Sequence, residues 1–313
     1  MSTIITITFS PCIDKSTSVP ALIPEKKLKC TAPRLEPGGG GINVARAIRK
    51  LGGEAVAIYP AGGYTGKYFN KLLADEDIQA IIIESKNETR ENIIVLEESS
   101  NQQFRFGMPG TELSENEWQA MLDTVQNLPK PSFIVASGSL PPGVPLDIYA
   151  RLARIAKAKS ARLIVDTSGE ALRHAAEEGV YLLKPNLAEL ASLAGIAHLE
   201  AGEVALAARE VINKGDCEVM VVSMGAEGAM LVSKTLVLTF RPPRVERKST
   251  VGAGDSMVAG IVMSLSAGRS LADAVRYGVA CGTAATMNPG TELCHKADVE
   301  KIYSRVLSTE PVM

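Results

Sequence analysis

Cysteine and histidine are too few and too scattered in this chain to build a metal centre or a disulfide framework. The five cysteines (Cys12, Cys30, Cys217, Cys281, Cys294) are odd in number and include no C-x-x-C pair, so they read as reduced thiols of a cytoplasmic protein. The three histidines (His174, His198, His295) lack metal-ligand spacing, which argues against zinc. Aromatic residues make up 4% of a chain that is 46% hydrophobic, a composition that suits an aliphatic α/β core better than an all-β one. A formal charge of −2 offers nothing to draw in nucleic acid or an anionic membrane. No apolar run approaches the roughly 20 residues of a membrane span. Met1–Phe9 lacks a basic n-region and a long apolar h-region, so no secretory signal is expected. Two nucleotide fingerprints are also missing. Gly66-Lys67 has Ala61 where a P-loop carries its first glycine and Tyr68 where it carries Ser or Thr, and no G-x-G-x-x-G opens a helix after the first strand.

What the sequence does have is alternation. The pattern predicts strands over Ile4–Phe9, Ala55–Tyr59, Phe133–Ala136, Arg162–Val165, Leu182–Leu183 and Val219–Ser223. It predicts helices over Ile42–Leu51, Gly66–Ala74, Leu146–Lys157 and Val204–Asn213, with helices dominating from Gly254 onward. Strands separated by helices of this length imply βαβ units and a mostly parallel sheet flanked by helices. Ligands in such sheets sit beyond the carboxyl ends of the strands. Two extended stretches, 22–36 and 91–106, break the alternation and predict a small antiparallel sheet projecting as a lid. Its outer face could pair with a second copy, because a lone small sheet buries little surface by itself. With no repeat or linker, one domain over 1–313 is expected, with lid segments at about 15–36 and 90–108. The tail Thr309–Met313 is expected to be disordered.

The most informative segment is Ser249-Thr250-Val251-Gly252-Ala253-Gly254-Asp255-Ser256. A glycine turn feeding a small-residue helix presents unpaired N–H groups at the positive end of the helix dipole, an anion site. An aspartate there competes with the anion for the same donors. Its presence makes sense if Asp255 takes a proton from a nucleophile attacking a bound phosphoryl group. The alternative is that Asp255 caps the helix.

Gly38-Gly39-Gly40-Gly41-Ile42-Asn43 is the second signal. Four glycines suit close approach of a ligand, and the Asn43 amide can both donate to and accept from a hydroxylated one. Asp14 follows the first strand, where a carboxylate can accept adjacent hydroxyls or simply make a turn. In Lys184-Pro185-Asn186-Leu187-Ala188-Glu189, Asn186 and Glu189 share one face of a first helical turn. Glu189 could hold magnesium through waters or complete a capping box with Asn186. The turn Ser223–Gly228 could host a nucleotide or be only a hairpin. Lys26, Lys27 and Lys29 cluster in one lid segment and Arg90 opens the other. That placement fits recognition of a phosphate already on the substrate, or a solvated basic edge.

These segments together resemble the ribokinase-like carbohydrate kinases of the phosphofructokinase-B branch, over essentially the whole chain. The motifs that carry the likeness are PGGGGINVARAI, SGSLPPGV, VDTSGEAL, KPN-x-x-E and STVGAGDSMVAG. The resemblance implies the three-layer ribokinase-like fold with a β-sheet lid, a cytoplasmic homodimer joined through that lid, and ATP and Mg2+ as cofactors. The implied reaction is ATP-dependent phosphorylation of the 1-hydroxyl of fructose 6-phosphate. Tagatose 6-phosphate or fructose 1-phosphate are alternative substrates, and a non-catalytic sugar-phosphate sensor is the alternative of another class. By this resemblance Asp255 is the base and the amides of Gly252, Ala253 and Gly254 form the anion hole. Asp14, Gly39, Asn43 and Ser139 line the sugar pocket, and Lys27 and Arg90 bind its phosphate. Lys184, Asn186, Ser223, Gly225, Gly228, Ser249, Thr250, Val251, Gly252, Val279 and Thr283 contact ATP. Glu189 organises Mg2+. A K+ site falls on Ser249, Val251, Ala285, Asn288 and Gly290, although Ser249 stands where many members carry Asp.

Overall fold

The apolar run Ile4–Ile7 is buried at every position, as a strand covered on both faces must be. It sits near the centre of the larger of two sheets in a computed structural model that describes residues 3–200, 202–215 and 217–308. The expectation for 309–313 lies outside the described residues. In chain order the strands are β1 (Ile4–Ile7), β2 (Cys12–Val19), β3 (Arg34–Gly38), β4 (Val56–Ala61), β5 (Gln79–Glu84), β6 (Arg90–Glu97) and β7 (Gln102–Phe106). They continue with β8 (Phe133–Ser137), β9 (Arg162–Asp166), β10 (Leu182–Leu183), β11 (Val219–Ser223), β12 (Ala229–Ser233), β13 (Val237–Arg241) and β14 (Leu307–Ser308).

The large sheet runs β14-β13-β12-β11-β10-β9-β8-β1-β4-β5. From β11 to β5 every pairing is parallel, and the β11–β14 end is antiparallel. Successive residues of a strand point to opposite faces, and the core divides accordingly. Ile134, Ala136, Leu163 and Val165 pack under the helices Ile148–Lys159 and Val204–Lys214. Phe133, Val135 and Ile164 pack on the other face against Gly40–Lys50, Ala253–Ser266 and Leu271–Thr286. The result is helix, sheet, helix.

The second sheet has the order β3-β2-β6-β7. It is mixed rather than antiparallel, because β2 and β6 pair in parallel from Cys12↔Arg90 to Val19↔Glu97. Its first strand also starts earlier than 22, at Cys12, and 20–33 carries no strand. Asp14 therefore lies within β2 and not in a turn beyond β1.

Candidate active site

The carboxyl ends of β8 and β9 meet the N-terminal ends of two helices. Gly40–Lys50 follows the glycine run and Ala253–Ser266 follows the second motif. Between them lies a cavity of about 340 Å3 whose lining includes Ser10, Arg90, Ser139, Asp166, Glu189 and Asp255. The glycine run is short of Cβ atoms for a reason internal to the fold. A Cβ on Gly40 would come 2.6 Å from Gly138 N, and one on Gly41 would come 2.5 Å from Ile7 O. Only glycine lets this helix start so close to β1 and β8. The helix begins at Gly40 and not near Asn43, so Asn43 sits in its first turn and its side chain is free to reach across the cavity.

Asn43 reaches Asp255. Its Nδ2 donates to Asp255 Oδ2 at 3.0 Å, and the Ser137 hydroxyl donates to Oδ1 at 3.4 Å. Asp255 is not the helix cap. The N-cap is Gly252, held at φ 72°, and Asp255 is the third residue of the helix with no capping bond. A Cβ on Gly252 would meet Leu293 Cδ2 at 2.6 Å, so both conformation and space require glycine there. First-turn N–H groups have no partner within the helix, and Asp255 lies in that turn. Burial, reinforced by the nearby Asp166 charge, pushes the Asp255 pKa up to about 7, against the pull of Asn43, Lys184 and Ser137. A carboxyl with that pKa is poised to accept a proton near neutrality.

Asp166, at the end of β9, forms an ion pair with Lys184 at 3.1 Å, and the Lys184 side chain is buried. Burial alone would lower the Lys184 pKa, but Asp166, with help from Asp255 and Glu189, holds it above its usual value. Asp14 is buried and accepts from Asn92 Nδ2 at 3.0 Å. Burial raises its pKa while Asn92, Cys12 and Arg90 oppose the rise. Arg90 donates to Met108 O at 2.8 Å and Ser10 O at 3.2 Å, which fixes its guanidinium at the cavity wall. Ser139 and Gly39 line the same cavity. Lys27 does not: it is exposed on the 20–33 segment, apart from the lining residues.

Residues 5–298 match the pfkB family of carbohydrate kinases. The chain belongs to that family. It is 46% identical over 305 residues to the ATP-dependent 6-phosphofructokinase isozyme 2 of Escherichia coli, across 97% of this chain and 99% of that protein. Crystal structures of Escherichia coli phosphofructokinase-2 share the fold. The complex with potassium has a TM-score of 0.94 at 46% identity, and the complex with fructose-6-phosphate 0.92 at 44%. Each covers 97% of this chain and 99% of the other. The large sheet with helices on both faces and the separate small sheet are thus the ribokinase-like architecture of pfkB kinases.

In this pfkB kinase Asn186 and Glu189 do form the capping box. Asn186 N donates to Glu189 Oε2 at 2.8 Å and Glu189 N donates to Asn186 Oδ1 at 2.9 Å. The cap does not remove Glu189 from the cavity, which it lines together with Asp166. Burial raises its pKa, Asn186 N–H lowers it, and Asp166 raises it further. No group of three or more His, Cys, Asp or Glu side chains able to hold a metal occurs among the described residues. The carboxylates of Glu189 and Asp166 on the cavity wall suit Mg2+, which keeps several waters and takes one or two carboxylates beside substrate phosphates.

The Ser223–Gly228 segment is a hairpin connection. Gly225–Glu227 forms a short 3-10 turn between β11 and the antiparallel β12, and Ser223 N donates to Pro185 O at 2.9 Å. Thr250 Oγ1 accepts from Arg105 Nη2 at 3.1 Å. Thr283 spends its hydroxyl on Val279 O at 2.8 Å, and Val279 is 1% exposed.

The five residues assigned to K+ come together at the C-terminal end of Leu271–Thr286, where helix carbonyls carry partial negative charge. Ser249 Oγ donates to Gly290 O at 2.7 Å, Val251 N to Ser249 Oγ at 3.2 Å, and Asn288 N to Ala285 O at 3.1 Å. A carbonyl-rich set fits a hard cation. The Ser249 hydroxyl occupies one lone pair of the Gly290 carbonyl and leaves the other.

Four site residues escaped the sequence reading: Ser137, Asp166, Asn92 and Arg105. The first two had a signal, since each is the last residue of a buried strand. Asn92 and Arg105 had none, because their partners are 78 and 145 residues away in sequence.

Proposed function

We propose that this chain is an ATP-dependent 6-phosphofructokinase that converts fructose 6-phosphate and ATP to fructose 1,6-bisphosphate and ADP. The observation that carries the reading is Asp255. Its carboxyl has a pKa of about 7 and sits in the first turn of a glycine-entered helix at the floor of the cavity. Asp255 takes the proton of the sugar 1-hydroxyl as that oxygen bonds to the γ-phosphorus. The bond from phosphorus to the β–γ bridging oxygen breaks, and ADP leaves. The Gly252, Ala253 and Gly254 amides face the charge on the transferring group, and such donors are worth about 3–4 kcal/mol each. Asn43 and Ser137 orient the carboxylate. Asp14 receives sugar hydroxyls, Arg90 the 6-phosphate, and Lys184 and Thr250 flank the nucleotide. Glu189 would hold Mg2+, which when bound neutralises phosphate charge. The carbonyls around Gly290 would hold K+.

The large sheet and its inserted small sheet act as one kinase domain with a lid. Ile93 (38% exposed), Phe104 (36%) and Phe106 (47%) on that lid support a homodimer through it. All five cysteines are free thiols, which suits the reducing cytoplasm. No helix among the described residues is long and apolar enough to cross a membrane.

The test is coupled ADP release over a panel of fructose 6-phosphate, tagatose 6-phosphate, fructose 1-phosphate, fructose and ribose. Fructose 6-phosphate should give the highest kcat/KM. Preference for an unphosphorylated sugar contradicts the substrate, and no turnover with any member contradicts the kinase reading.

A further inference from the structure

Arg105, on β7, takes no part in the reaction as described, yet it ties the small sheet to the glycine loop. Its Nη2 donates to Thr250 Oγ1 at 3.1 Å and its Nε to Gln103 Oε1 at 3.2 Å. Both acceptors are uncharged. A guanidinium is a planar fork suited to two oxygens of a carboxylate or phosphate, and a single hydroxyl uses little of it. Thr250 lies two residues before Gly252, the N-cap of the helix whose amides face the cavity. The positive charge is thus delivered to the loop that leads into that helix.

The charges already present there favour a further cation. Asp166, Glu189 and Asp255 all line the cavity. Lys184 pairs with Asp166 at 3.1 Å, so those two charges largely offset each other and Glu189 and Asp255 remain. Arg90 is fixed on the other side, against Ser10 O and Met108 O. A nucleotide triphosphate brings further negative charge to Glu189 and Asp255, which bound Mg2+ would neutralise in part and a further cation would neutralise more fully. Arg105 is a cation at the loop with no acid partner among the described residues to give up.

We infer that Arg105 is a catalytic residue. With both substrates bound, its guanidinium exchanges the Thr250 hydroxyl for oxygens of the transferring phosphoryl group, opposite the Gly252–Gly254 amides. The inference rests on the kinase reading of the same site. It also makes phosphoryl transfer depend on the position of the small sheet, because the charge arrives on β7.

Arg105→Ala and Arg105→Lys test it with fructose 6-phosphate and ATP. The expected result for Ala is a fall in kcat of roughly 100-fold, with KM for fructose 6-phosphate and the melting temperature nearly unchanged. Lys should retain an intermediate rate, having the charge without the fork. Added guanidinium chloride at millimolar concentration should restore part of the Ala rate, and urea should not. A kcat within twofold of wild type overturns the inference. So does a variant whose KM for fructose 6-phosphate rises while kcat holds, the result of a mere tether. Wild type that releases no ADP with any sugar phosphate overturns the kinase reading itself. An active wild type beside an equally active Ala variant overturns only the role of Arg105.

Discussion

The Thr291 hydroxyl donates to Glu36 Oε2 at 2.6 Å, and this bond joins the small sheet to the segment that follows the helix Leu271–Thr286. Glu36 lies opposite Asp14 in the small sheet. Gly290, the residue before Thr291, accepts the Ser249 hydroxyl at 2.7 Å beside the glycine loop. Glu36 and Thr291 are 5% and 2% exposed, and Arg46 Nη2 approaches the same Glu36 carboxylate at 3.4 Å. The two halves of the site are therefore held in register by buried polar contacts.

Thr291→Val keeps the shape and removes the donor. Hydrogen bonds to charged groups contribute about 1.5–3 kcal/mol, and Arg46 still neutralises Glu36. Urea unfolding should show a loss of about 1–2 kcal/mol. An unchanged midpoint at unchanged slope contradicts a structural role for the bond.

Asp166 and Lys184 set the Asp255 pKa in opposite directions. Asp166→Asn removes a like charge, so the acidic limb of the kcat/KM profile should move to lower pH. Lys184→Met removes an opposing cation and should move it to higher pH. The Met variant should also lose about 3–5 kcal/mol of stability, because Asp166 is left unpaired. Shifts of the same sign in both variants contradict the assignment.

Glu189 has two jobs to separate. Glu189→Gln preserves the geometry of the capping box, so melting temperature should change little. The magnesium concentration for half activity should rise about tenfold. Lost stability at constant magnesium dependence identifies Glu189 as a cap alone.

Arg90→Ala should raise KM for fructose 6-phosphate by about tenfold or more, because a charge-assisted bidentate contact is lost. KM for ATP should stay within about twofold. Equal rises in both would show that Arg90 supports the fold of the small sheet and reads no phosphate.

The strand alternation was legible because β1, β8, β9 and β11 are buried runs bounded by turns. The edge strand β5 was not read: its residues are partly or fully exposed, so it lacks the apolar contrast of a central strand. The helix Glu115–Asn127 also went unread, although Ser114 and Glu117 form a capping box that marks its start. The parallel pairing of β2 with β6 joins segments about 78 residues apart, and no local pattern encodes such a partnership. In the site, Asp255 was legible as a carboxylate in an anion loop. What holds it was less so. Ser137 and Asp166 look like ordinary strand ends until the sheet order sets β8 beside β9. The four glycines pointed to the right loop for an incomplete reason, since Gly40 and Gly41 serve close packing against β8 and β1.

Turnover of Asp255→Asn beside wild type, measured across pH, tests the account most directly. The base must be ionised to act, so wild-type kcat/KM should climb with pH and level off above about 7. The same shift carries a stability cost with a fixed sign. A carboxyl whose folded pKa exceeds the ordinary value of 3.8 stabilises the fold when protonated, and that contribution is lost as pH rises to about 7. Asp255→Asn should therefore raise the melting temperature more at pH 8 than at pH 5, while both substrates still bind. Its kcat should fall by about 100-fold or more and lose the acidic limb. A variant with near-normal kcat and an unaltered pH profile contradicts Asp255 as the base.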